Sequence, residues 1–228
     1  MKRLLTLSVT AAATGLLIAA AGAPAAKPPP KPPGGGANAI TLAAQPNPLG
    51  FGGFVTLSGR LTGSSNGGTT VTLQADPYPF ADNDFTDKGT KVTAANGSYS
   101  FAQAPGLNTR YRVVASTSPK VTSPVVTVSV AYRVGLSVSD STPRRGTRVR
   151  FSGSVGPRKD GSTAFIQKRR SDGRFATVAR ATLTAGTATR SVYSKRLLVS
   201  SSGIYRVRVS GDASHVAGNS RTRTLTVH

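Results

Sequence analysis

The sequence predicts an all-β chain, built as two consecutive β-sandwich or barrel domains behind an N-terminal leader. Three observations carry that expectation. The 228 residues hold eight acids, every one an Asp, while Gly, Ser, Thr and Val are abundant. Helical proteins use Glu freely, so a chain without it fits strands and turns. Gly203-Ile204-Tyr205-Arg206-Val207-Arg208-Val209 alternates apolar with polar residues, the period of a half-buried strand. Thr109-Arg110-Tyr111-Arg112-Val113-Val114-Ala115 echoes it, with an identical Tyr-Arg-Val triplet 94 residues earlier.

The chain opens with Lys2 and Arg3, an apolar run from Leu4 to Ala21, and the small-x-small triplet Ala23-Pro24-Ala25. This is the layout of a secretory signal peptide, residues 1–25, with cleavage expected after Ala25. Thr6, Ser8, Thr10 and Thr14 make the run a weak spanning helix, and no later run is long enough to cross a bilayer. The chain has no Cys, so its domains must hold by core packing without disulfides. The expected location is secreted or extracellular, with cell-wall association as one form of it. No sorting tail or anchor is expected after His228. Residues 26–37 read as a linker. Lys27-Pro28-Pro29-Pro30-Lys31-Pro32-Pro33 favours an extended polyproline II spacer, and Gly34-Gly35-Gly36 is a flexible joint behind it.

From Ile40 the character changes. Ile40, Leu42 and Ala44 alternate with polar or small residues, and Phe54 to Leu61 forms a second strand that ends at a Gly. Asn66-Gly67-Gly68 makes a turn, and Val71 and Leu73 mark the next strand. Residues 76–90, with Pro77, Pro79 and several Asp, read as a long loop. Asn96-Gly97 signals a hairpin into Ser98-Tyr99-Ser100-Phe101. Pro105-Gly106 turns the chain into the Tyr111 strand, and Val126, Val128 and Val130 close the unit on one face.

The same pattern then repeats at a constant offset of 94 residues. Ile40 maps to Val134, Leu42 to Leu136, Gly52 to Gly146, Val55 and Leu57 to Val149 and Phe151, Ser58-Gly59 to Ser152-Gly153, and Tyr99 to Tyr193. Apolar residues fall on apolar residues and turns on turns, the signature of an internal duplication. The register slips in loops, most clearly at Gly211 to Asn219, after which the last strand needs an offset nearer 97. The expected domains are therefore 38–131 and 132–228, joined by Ala131-Tyr132-Arg133, too short a link for free swivelling. Each is near the common size for a self-supporting core.

Each unit resembles a bacterial immunoglobulin-like or fibronectin-type β-sandwich repeat of secreted and cell-surface proteins. Tyr111 and Tyr205 sit where that family places its structural tyrosine corner, and Gly211-Asp212 with Ser220-Arg221-Thr222 resembles its closing hairpin. The first unit is also similar to carboxypeptidase-regulatory-like modules, through Ser58-Gly59-Arg60-Leu61, Asn96-Gly97-Ser98-Tyr99-Ser100-Phe101 and Tyr111-Arg112-Val113. The resemblance implies two tandem immunoglobulin-like sandwiches without the Cys pair and core Trp of antibody domains. It implies a fold, and leaves function to the site.

Candidates for chemistry are few. The histidines are His215 and the terminal His228. Asp212-Ala213-Ser214-His215 brings Asp, Ser and His together, but three neighbours in one hairpin loop do not converge as a triad needs, and the stretch reads as an exposed turn. No enzyme, cofactor, zinc site or phosphate-cradling motif is expected. Asp82, Asp84 and Asp87 group oxygen ligands that suit calcium, yet lack the Gly and Glu of an EF-hand loop and are ordinary turn formers.

Charge is where the two units differ. The chain carries a formal +21. Residues 38–131 hold six Lys and Arg against four Asp, whereas 132–228 hold nineteen against Asp140, Asp160, Asp172 and Asp212. Strand alternation points Arg169, Arg206 and Arg208 outward, and the immunoglobulin topology that the resemblance implies then sets them on one face, with Arg221 and Arg223 near its edge. Arginine forks grip phosphate or carboxylate bidentately, so the expected role is extracellular binding or spacing at the cell envelope. Its expected partner is an anionic wall polymer, a polysaccharide or an envelope protein. A solvated, compositionally basic surface is the plain alternative. An accessory module of an extracellular enzyme system is another. Nucleic acid is disfavoured, because few aromatics are present to stack on bases.

Overall fold

The computed structural model describes residues 36–64, 66–80 and 84–228. Residues 1–25, most of the 26–37 linker, and Asp82 lie outside them. The described chain is all-β and contains no helix. In chain order the strands of the first half are β1 (Ala39–Ile40), β2 (Ala43–Gln45), β3 (Leu49–Gly50), β4 (Val55–Thr62), β5 (Thr70–Pro77), β6 (Thr86–Val92), β7 (Ser98–Gln103), β8 (Thr109–Ala115), β9 (Val121–Thr122), β10 (Val126–Val128) and β11 (Val130–Ala131). Those of the second half are β12 (Arg133–Val134), β13 (Ser137–Val138), β14 (Thr147–Gly156), β15 (Thr163–Arg169), β16 (Phe175–Thr182), β17 (Thr184–Thr187), β18 (Arg190–Val199), β19 (Gly203–Val209), β20 (Gly218–Asn219) and β21 (Arg223–Leu225).

The two halves repeat one wiring. In the first, β4 is flanked by β1 and β2 along one edge and β7 on the other, while a second sheet runs β10-β8-β5-β6. In the second, β14 is flanked by β12 and β13 on one edge and by β18 then β17 on the other, while a second sheet runs β16-β15-β19, with β20 and β21 both on the far edge of β19. Alternation explains why these stretches pair as they do. Val55, Leu57 and Leu61 of β4 point inward against Val71, Leu73, Val113 and Val128, all fully buried. Val149, Phe151 and Val155 of β14 do the same against Ile166, Val207, Val209 and Leu225. Each half thus closes two sheets over its own core, and the two clusters share no residue.

The expected loop at 76–90 is smaller in the structure. β5 runs on to Pro77 and β6 begins at Thr86. Every residue of β6 is exposed, so it lacks the apolar alternation that marks a half-buried strand. It is an edge strand, held by its ladder to β5, and its Lys88 and Lys91 suit an exposed edge.

The two halves meet at the segment that breaks the repeat. The loop between β19 and β20 was expected to be an exposed turn. Asp212 and Ala213 are exposed, but His215 is only 4% exposed and lies against the first half. Its Nε2 donates to the Gly106 carbonyl at 2.8 Å, since a carbonyl can only accept, and its Nδ1 lies 2.8 Å from Ser214 Oγ. Main-chain bonds flank it: Asn108 N donates to Ser214 O (2.9 Å), Val216 N to Val130 O (2.9 Å) and Tyr132 N to Val216 O (3.2 Å). Asn108 adds Nδ2 to Ala213 O at 3.2 Å and accepts from Val130 N at 2.8 Å. The Tyr132 ring stacks on His215 with centroids 5.0 Å apart and takes the Lys159 ammonium over its face at 4.3 Å. The described residues from 36 to 228 accordingly form one compact unit with two cores.

Candidate functional site

The outer face of β15, β16 and β19 is built by strand parity. Ala164 and Ile166 point inward, so Phe165, Gln167 and Arg169 point out. Tyr205, Val207 and Val209 point inward, so Arg206 and Arg208 point out beside them. Direct pairing sets Arg206 opposite Gln167 and Arg208 opposite Phe165, while β16 brings Arg180 opposite Phe165 and Phe175 opposite Arg169. The face therefore interleaves Arg169, Arg180, Arg206 and Arg208 with two phenylalanines.

Arg206 is held tightly. Its Nε donates to Gln167 Oε1 at 2.9 Å, and its guanidinium lies 4.0 Å over the Phe175 ring. Burial, and then the charge of Arg208, lower its pKa from the usual arginine value. The first half repeats the clamp: Arg112 Nε donates to Gln74 Oε1 at 2.7 Å with its guanidinium 4.1 Å over Phe85. Arg206 is thus part of a packing device common to both units. Arg169, Arg180 and Arg208 are exposed additions, and the internal equivalent of Arg208 is Val114.

Arg221 and Arg223 are not on this face. Arg223 lies opposite Tyr205, a residue that points inward, and shares its parity with buried Leu225. Its side chain turns to the core side at an open edge, where Nε donates to Leu136 O at 3.4 Å. Arg221 lines a cleft at the joint with Pro48, Gly50 and Tyr132. Arg223 falls there by simple alternation, two residues before Leu225 in β21, and Arg221 precedes that strand.

No carboxylate lies within ion-pair distance of Arg169, Arg180, Arg206 or Arg208 among the described residues. Asp160 accepts from Ser191 Oγ and Arg158 Nε, Asp140 caps the Thr142 amide and Asp172 the Arg174 amide. Asp212 is engaged at the joint, bonding Tyr132 Oη at 2.5 Å and Lys159 Nζ at 2.7 Å. Among the described residues of the second half, Arg158 and Lys159 are the Arg and Lys side chains with a carboxylate partner. The Asp212 carboxyl would be raised by burial alone. Hydrogen bonds from Lys159, Tyr132, Ser214 and the His215 amide outweigh that and hold it well below the ordinary range.

Tyr111 and Tyr205 are buried, 2% and 4% exposed, and burial raises both phenols, Tyr111 to about 12. A phenol-to-backbone clasp is found on the neighbouring sheet, where Tyr99 Oη donates to the Thr41 carbonyl and Tyr193 Oη to the Gly135 carbonyl, the latter at 2.6 Å. Of the calcium candidates, Asp82 lies outside the described residues, and Asp87 Oδ1 accepts from Gln74 Nε2 at 2.8 Å, which ties it to the Arg112 clamp. Among the described residues no group of three His, Cys, Asp or Glu gathers as a metal site would require.

A scan of protein-family models and a search of curated proteins both return no match for this chain.

Proposed function

We propose that the chain is a secreted, non-catalytic tandem immunoglobulin-like protein that binds an anionic polymer of the cell envelope through its second unit. The observation that carries this reading is the shared face of Arg169, Arg180, Arg206 and Arg208, none of which has a carboxylate within ion-pair distance among the described residues. Guanidinium forks on a rigid sheet are suited to rows of phosphate or carboxylate groups. The strand order of the first unit, with β1 and β2 sharing one edge of β4 and β7 on the other, against a wall running β10-β8-β5-β6, supports the immunoglobulin-like or fibronectin-type reading. The leader sequence supports secretion. The Asp212-Ser214-His215 trio supports a structural role over a catalytic one, because both His215 nitrogens are taken up in the joint.

The same face argues against base stacking as the mode of binding. Phe175 is covered by Arg206 at 4.0 Å, and the Phe165 ring has Arg180 5.8 Å away. Rings occupied in this way favour recognition of charge over recognition of bases. The test is retention of the full chain on an immobilised polyanion, eluted with a salt gradient. Arg169→Ser, Arg180→Ser and Arg208→Ser together should elute at clearly lower salt with an unchanged Tm. Arg206 is left in place because it packs on Phe175. Retention that ignores salt, or a triple variant that elutes with the parent, would leave only a solvated basic surface.

A further inference from the structure

The second unit carries another arginine cluster, on the opposite wall. On β14, Val149 and Phe151 point inward, so Arg148, Arg150 and Ser152 point out. The β14–β18 ladder sets Arg150 directly opposite Arg196, Arg148 opposite Leu198, and Ser152 opposite Ser194, with Ser137 of β13 on the other side of Ser152. Side chains directly opposed across an antiparallel pair have Cβ atoms roughly 4.5–5.5 Å apart, and like charges there are destabilising. No carboxylate lies within ion-pair distance of Arg148, Arg150 or Arg196 among the described residues. The equivalent pair in the first unit is Thr56 opposite Ala102, with Ser58 opposite Ser100. The serines are therefore common to the two units, and the opposed arginines belong to the second alone. An anion seated between the two guanidiniums, with serine hydroxyls alongside, converts the repulsion into two charge-assisted contacts.

We infer that the second unit has two anion-binding walls facing away from each other, and that it cross-links strands of a phosphate-bearing linear polymer. This rests on the proposed binding function and adds valency to it. The chemistry favours phosphate because one group offers enough oxygens for both forks. The walls act independently. Packed sheets lie about 10 Å apart before outward side chains are added. That separation exceeds the Debye length of about 8 Å at physiological salt. A rigid sandwich cannot turn both outer walls toward one straight strand.

The experiment mixes the full chain with long-chain inorganic polyphosphate and follows light scattering across the mixing ratio. Scattering should rise to a maximum at an intermediate ratio and fall again with excess of either partner, as bridging requires. Tripolyphosphate, too short to span two proteins, should bind, give no scattering, and suppress the long-chain signal. Arg196→Asp replaces the opposed pair with a cross-strand ion pair, so its Tm should hold or rise, which excludes misfolding. It should still be retained on immobilised polyphosphate through the other wall, yet lose the scattering maximum. Lys120→Asp makes the same change of charge on the first unit and should keep that maximum. Scattering of Arg196→Asp equal to that of Lys120→Asp overturns the cross-linking inference, whatever the affinity. A parent chain that is retained but never scatters overturns this inference and leaves the binding function intact. A parent that is not retained at all removes both.

Discussion

A single phenol ties each unit's broken first edge to its sheet. Tyr193 reaches across Gly153 to the Gly135 carbonyl, and Tyr99 reaches across Gly59 to the Thr41 carbonyl. Both crossings depend on a residue without a side chain. A Cβ on Gly153 would land on Gly135 O and within 2.7 Å of Tyr193 Oη, whereas a Cβ on Gly135 would meet only ordinary contacts at 3.5 Å. Tyr193→Phe should therefore destabilise by about 1 kcal/mol, the usual net value of one hydrogen bond. Gly153→Ala should cost more than that, and Gly135→Ala less, in urea unfolding of the full chain. Equal effects at the two glycines would contradict the close approach. The alternation and turn signals made both tyrosines and both glycines visible in the sequence. Which tyrosine bonds to backbone was not legible, because that depends on where an edge strand breaks.

At the scale of elements, strands that pack on a core announced themselves and strands at edges did not. β14 and β19 alternate because one face is buried, whereas β6 and β17 are exposed along their whole length and leave no periodic trace. The loop at Gly211–Asn219 reads in the sequence as a hairpin turn and as a slip in the repeat. Its role at the joint needed the first unit's 106–108 segment beside it, a contact that no local pattern encodes. Strand parity sets Arg169, Arg206 and Arg208 on one side of their sheet, and the same alternation sets Arg223, in step with buried Leu225, on the other. The joint has its own pH signature. Asp212 is held below its unfolded value, about 3.9. Its contribution is therefore present above that pH and is lost as pH falls through the lower folded-state value. The carboxylate is partly exposed, so the effect is modest. The Tm difference between the parent and Asp212→Asn should be clear at pH 6 and shrink steadily below pH 4. A difference that is constant from pH 6 to pH 2 would remove Asp212 from the joint's electrostatics.

The whole molecule is two cores and one fixed joint. Because the clusters of buried residues are disjoint, a fragment ending at Ala131 should keep a cooperative thermal transition and a β-rich circular dichroism spectrum. β11 stays paired with β3 inside that fragment, which keeps its last strand in place. A gradual, non-cooperative melt would mean that the first core needs the second. The joint itself is written largely in main-chain atoms: the amides of Asn108, Tyr132 and Val216 and the carbonyls of Gly106, Val130, Ala213, Ser214 and Val216. Such bonds survive most changes of side chain. The connection between the units is therefore robust to mutational drift at Ala213 and Val216, and Val216→Ala should pass almost without signal. What it cannot absorb is a change of length or the loss of an amide hydrogen, so insertions, deletions and prolines, rather than substitutions, are the changes that would free the two halves.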